Sequence, residues 1–129
     1  MTEEQLNPTA DGVTVENLTR NCTLVSAGEV ADNHWTRMKG LLGRTGLAPG
    51  AGLLIVPSNS IHMFFMRFPI DVLYVDRSLR VVGLHHSLKP WRVGQMNMRS
   101  HFVIELPAGT LQATGTQVGD QLAVTGYQL

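Results

Sequence analysis

The hydrophobic positions of this chain change period twice. Residues 13–18 place Val13, Val15 and Leu18 in rough alternation with polar neighbours, and residues 22–26 form a second short apolar run. Such patterns suit strands. Gly28 then marks a turn. Beyond it Trp35, Met38, Leu41 and Leu42 follow at intervals of three and four, the period of a helix. Asp32 or Asn33 is placed to cap that helix, and Gly43 and Gly46 to end it. From Gly52 onward short apolar runs are broken by turn residues. Strands are predicted over residues 53–56, 61–67, 70–75, 79–85, 101–106 and 121–125. Pro69 interrupts the second and third of these, because proline has no N–H for a ladder. Asp76, Arg77 and Ser78 read as a tight turn, so residues 70–85 form a hairpin. Residues 87–100 read as a loop, and residues 108–114 as one or two helical turns.

Many short strands with a helix near the start predict a mainly β fold of the β-rich α+β kind. The expected architecture is a small antiparallel β-sandwich or barrel-like domain with one helix in the N-terminal half. Nothing in the pattern suggests βαβ units. Residues 1–12 are polar with Pro8 and Gly12 and read as a flexible tail. Residues 13–129 form a single domain.

Composition narrows the function classes. Ten basic residues balance ten acidic ones. That balance argues against a nucleic-acid partner, which needs a basic stripe, and gives no electrostatic anchor for a membrane. No apolar run approaches the roughly 18 residues of a membrane span. Cys22 is the only cysteine, which excludes an internal disulfide and suits a reducing compartment. A soluble, cytoplasmic protein is expected. The basic residues gather between Arg37 and Arg44 and again between Lys89 and Arg99.

Several segments resemble the domain-of-unknown-function 192 family of bacteria and archaea. They are residues 37–44 (Arg-Met-Lys-Gly-Leu-Leu-Gly-Arg), 52–55 (Gly-Leu-Leu-Ile), 60–71 (with Ser60, His62 and the run Met-Arg-Phe-Pro-Ile-Asp), 104–109 (Ile-Glu-Leu-Pro-Ala-Gly) and 115–120. The resemblance spans roughly residues 20–125. It implies a β-rich, sandwich-like or barrel-like domain with a helix near its start. It implies no activity, since none is established for the family. Relatives often carry Thr where this chain has Met63, so a role for that hydroxyl does not carry over.

Residues 60–76 hold the candidate chemistry. An apolar run that carries His62, Arg67 and Asp71 must give each a partner or a path to water. As a central strand, it would put Ser60, His62 and Met66 on one face and Arg67 on the other. The simpler reading of His62 is a buried neutral ring, and the sharper one a base or ligand at a pocket mouth. Asp71 is expected to pair with Arg67 or with an arginine of the helix. Arg37 and Arg44, seven apart, share a helix face. Trp91 and Arg92 lie in the apolar loop with Met96 and Met98, which covers either a pocket or the sheet.

A metal set drawn from His85, His86, His101 and Glu105 lacks the spacing of a preformed site, so no metal and no cofactor is expected. Ser60, His62 and Asp71 lack the surroundings of a nucleophile elbow. The expected function is therefore a binding module for a small organic anion or a protein partner. Its candidate residues are Arg37, Arg44, Ser60, His62, Met66, Arg67, Asp71, Trp91 and Arg92. The alternatives are a hydrolase or lyase using His62 with Asp71 or Glu105, and an interaction domain without a pocket. Oligomeric state is not legible.

Overall fold

The computed structural model describes residues 12–33, 36–37, 40–63 and 66–129. Seven strands form one curled sheet, a half-barrel. They are β1 (Val13–Asn17), β2 (Cys22–Ala31), β3 (Ala51–Ile55), β4 (Ile70–Val75), β5 (Val81–Leu88), β6 (Phe102–Pro107) and β7 (Leu122–Thr125), with the helix α1 (Thr110–Thr114) between the last two. The spatial order is β5-β4-β6-β3-β2-β1-β7. The ends of the sheet curl towards each other. Arg80 bridges Gln121, and the Leu122 N–H donates to the Leu79 carbonyl at 2.8 Å.

The mainly β expectation holds, with two corrections. The sheet is mixed, because β2 runs parallel to β3. Parallel neighbours need a crossover of about a dozen residues or more. Residues 32–50 supply it, so one β-crossover-β unit exists after all. Secondly, Gly28 does not turn the chain. It lies inside β2 at an irregularity of the β1 ladder, and a Cβ there would stand 2.9 Å from the Val13 carbonyl oxygen. Glycine is needed for close approach, not for reversal.

The crossover holds the described part of the predicted helix. Arg37 N–H donates to Asn33 O and Gly40 N–H to Thr36 O, both at 2.9 Å, as in a helical turn. The Asn33 side chain caps it by accepting the Thr36 N–H at 2.9 Å. Trp35, Met38 and Lys39 lie outside the described residues.

The sheet is covered on both faces. The inner face holds Val15, Leu54, Leu73, Val75, Phe102, Ile104 and Leu106, closed by Leu111 of α1. The outer face holds Leu53, Ile55, Val72, Tyr74 and Val103, covered by Leu41, Ile61, Met63 and Met66 from the connecting segments. Double coverage explains why all of β4 is buried and reads as a continuous apolar run. Residues 61–67 were expected as a central strand. The described ones are part of the cover instead, and only His62 makes a bridge, to Val93. Their apolar character serves the sheet beneath them, which a strand pattern imitates.

Candidate functional site

Two carboxylates sit in the middle of apolar strands, and the sheet sends them to opposite faces. Asp71 lies opposite Leu106, and Val72 opposite Glu105. Asp71 points to the inner side and is fully buried. It accepts backbone N–H groups from Ser87 at 2.8 Å, Gly109 at 3.1 Å and Leu111 at 2.8 Å. Two of these donors open α1, whose first N–H groups have no partner within the helix. The expected ion pair with Arg67 is therefore absent. Arg67 is exposed, and the salt bridges among the described residues are Arg20–Asp120 and Arg44–Glu29. A carboxylate needs donors, and the backbone supplies them here without a cation.

Glu105 faces the outer side, between Leu53 of β3 and Val72 of β4. It is 5% exposed, and its Oε1 atom is buried with no hydrogen-bond partner. Burial pushes its pKa up to about 8, against a smaller opposing pull from Arg44. At neutral pH the group is then mostly the uncharged acid, which can donate a proton as well as accept one. Arg44 is itself forked onto Glu29, at 3.1 and 3.0 Å.

Glu105 forms the floor of a cleft of about 150 Å³. Leu41, Leu42, Ile55, Ile61 and Met66 give it apolar walls, and Arg37, Ser58, Ser60 and His62 its polar ones. Among the described residues the Arg37 guanidinium reaches the Asp32 and Val56 carbonyls, each at 3.5 Å. The Ser58 hydroxyl is directed to Ser60 O at 2.9 Å.

The cover over the outer face is fastened by backbone pairing between residues 59–63 and 91–97. Trp91 N–H donates to Met63 O at 2.7 Å, Gly94 N–H to Ile61 O at 2.8 Å and Asn97 N–H to Asn59 O at 2.8 Å. Gly94 lies flat on Tyr74, where a Cβ would meet the Tyr74 hydroxyl at 2.6 Å. That hydroxyl is buried without a hydrogen-bond partner, and burial pushes its pKa up to about 12.

The sequence-predicted residues thus divide. Arg37, Ser60, His62 and Met66 line the cleft. Arg44 stands beside Glu105 and acts on it through charge. Arg67, Trp91 and Arg92 are exposed elsewhere on the cover, and Asp71 is on the far side of the sheet. His62 is exposed at the cleft wall and not a buried ring. Glu105, named from the sequence as an alternative base, lines the cleft, and its signal was the same as that of Asp71: a lone acid in an apolar run. His85 and His101 do not converge. His85 packs edge-on to Tyr74 with ring centroids 5.8 Å apart and accepts the Gln95 N–H, while His101 lies in a different depression. Among the described residues no group of three or more His, Cys, Asp or Glu side chains is arranged to hold a metal. None of the described helices is long and apolar enough to cross a membrane.

Comparison with known proteins fits this fold. A crystal structure of a protein of unknown function from Novosphingobium aromaticivorans superposes with a TM-score of 0.76 at 23% identity, over 86% of this chain and 82% of that one. A putative transcription regulator from Sinorhizobium meliloti gives 0.71 at 24% identity, over 90% and 94%. At that identity the likeness concerns the fold alone. A UPF0127 protein of Thermococcus sibiricus is 32% identical over 114 residues, covering 82% of this chain and 71% of its own length. Another from Pyrococcus horikoshii is 32% identical over 114 residues, covering 84% and 96%. The profile of DUF192, described as "Uncharacterized ACR, COG1430", matches residues 16–124. The chain belongs to the DUF192 family.

Proposed function

We propose that the cleft binds a short-chain organic acid, whose carboxylate is received by protonated Glu105 and by Arg37. The observation that carries this reading is the buried Glu105 Oε1 atom with no partner, facing a cleft with apolar walls. A buried polar group left unsatisfied costs about 1–3 kcal/mol. A ligand carboxylate would relieve that cost by accepting the Glu105 proton, two carboxyl groups then sharing one hydrogen. Arg37 adds the positive charge that favours an anion. The volume of about 150 Å³ holds roughly five waters at about 30 Å³ each, the size of a short aliphatic acid.

The test is calorimetric titration with straight-chain monocarboxylates and their primary amides, on either side of the Glu105 pKa of about 8. Binding of the acids should be tightest below that value and weaken above it. It should survive Glu105→Gln, which keeps a donor, and be lost in Glu105→Leu and Arg37→Ala. Undiminished binding in the last two variants, or none from the series, contradicts the reading.

A second reading has one observation in its favour. A carboxyl with a pKa of about 8 beside His62 has the properties of a general acid. Turnover of a bound ester or hydroxy acid that Glu105→Gln abolishes would select an enzyme over a binding module. The chain's single cysteine, unpaired at Cys22, supports a cytoplasmic location.

A further inference from the structure

A second depression, separate in chemistry from the cleft, adjoins it across Pro57 and Ser58, which line both. It is an open groove of about 700 Å³ where the β4–β5 turn meets the segment that leads into β6. Its backbone is well fixed. His101 N–H donates to Val75 O at 2.7 Å, Ser58 N–H to His101 O at 2.9 Å, and the Ser100 hydroxyl lies 3.0 Å from Ser58 O. The side chains that line it are mostly donors: Arg77, Arg99, His101, Asn59 and Ser78.

The groove has one acid, Asp76, and that acid is engaged. Its Oδ1 atom accepts the N–H groups of Ser78 and Arg80, each at 2.9 Å, which closes the turn. Neither Arg77 nor Arg99 forms a salt bridge among the described residues. Among the described residues the Asn59 side-chain amide makes a sulfur contact, 3.9 Å from Met98. Arg77 is near enough to His101 for its charge to be felt there. Burial first, and that charge second, hold the imidazole below its ordinary pKa. Two cations, an imidazole and unused donors therefore line the groove against a single carboxylate, which the turn holds.

We propose that this groove binds the phosphate group of a phosphorylated small molecule, clamped by Arg77 and Arg99 with His101 as a third donor. Guanidinium forks match phosphate oxygens, and a doubly charged group suits two arginines and a protonated imidazole better than a carboxylate does. The volume leaves room for the rest of a sugar- or nucleotide-sized ligand. Two arginines in a chain of balanced charge do not make the basic stripe that a nucleic acid requires. The inference is independent of the organic-acid cleft, since neither Glu105 nor Arg37 lines the groove and none of Arg77, Arg99 and His101 lines the cleft.

Histidine titration by NMR tests it, with inorganic phosphate as the first probe and a phosphate monoester as the second. The groups that face His101 are Arg77 and Asp76 from the turn and Arg99 from its own segment. A dianion among them should raise the His101 midpoint by about one pH unit, a tenfold preference for the protonated ring. Chloride at matched ionic strength should not reproduce the shift. In Arg99→Ala the phosphate response should be lost. In Arg77→Ala the midpoint should start higher without ligand and then not respond. A His101 midpoint indifferent to phosphate overturns the proposal. So does a response that chloride matches, one that persists in both variants, or binding seen only with a polynucleotide.

Discussion

Asp71 and Glu105 make an instructive pair. They occupy adjacent strands, one position apart in register, and both are buried. Asp71 is surrounded by three backbone N–H donors and joins α1 and the end of β5 to the sheet. Glu105 has an oxygen with no partner and opens on a cleft. The first arrangement is complete without a ligand. The second is incomplete, and its cost is met by holding the group as the neutral acid. The difference lies in what covers each face. The inner face is sealed by a helix whose first turn offers donors, and the outer face by loop segments that leave a gap over Glu105.

The largest effect should come from breaking the complete arrangement. Asp71→Ala takes the acceptor from the buried Leu111 N–H and from those of the exposed Ser87 and Gly109, and should cost about 3 kcal/mol. The denaturant midpoint measures it. An unchanged midpoint would mean that the backbone around Asp71 finds water instead.

Glu105 should show the opposite behaviour. Its folded pKa of about 8 lies above the ordinary value of 4.5, so the folded protein holds a proton that the unfolded chain releases. Stability should therefore fall as pH rises from 4.5 to about 8 and level off above, by on the order of 5 kcal/mol at about 1.4 kcal/mol per unit. Glu105→Gln should flatten that decline and leave the variant more stable than the parent in mild alkali. Urea titrations across this range provide the check, and a parent curve without the decline would contradict a neutral Glu105.

The smallest effect tests the neighbour. Arg44→Met removes a charge that favours ionised Glu105, so the Glu105 titration should move further up. The half-exposed pair with Glu29 should itself contribute no more than about 1 kcal/mol. A downward movement would mean that Arg44 acts through packing and not through charge.

Much of this frame was legible in the sequence. Strands β3, β4 and β6 announce themselves as apolar runs between prolines and turn residues. The charge in the run of β4 marked Asp71 as constrained. Its partners were not legible, because backbone donors from α1 leave no trace in residue type. Residues 61–63 and 66 look like a strand because they are apolar, and they are apolar because they cover one. The parallel β2–β3 pair escaped notice because Gly28 and Glu29 break the alternation in mid-strand. Arg37, Ser60, His62 and Met66 were found from their chemistry. Glu105 was recognised only as an alternative base, since the gap above it is made by segments distant in sequence.

The central claim is that Glu105 carries a proton at neutral pH in a cleft that awaits a ligand. Carboxyl carbon NMR, with Glu105 assigned by comparison with Glu105→Gln, follows its ionisation directly. The account predicts a midpoint near 8. A Glu105 resonance that titrates near 4.5 would show an ordinary, solvated carboxylate and contradict the account.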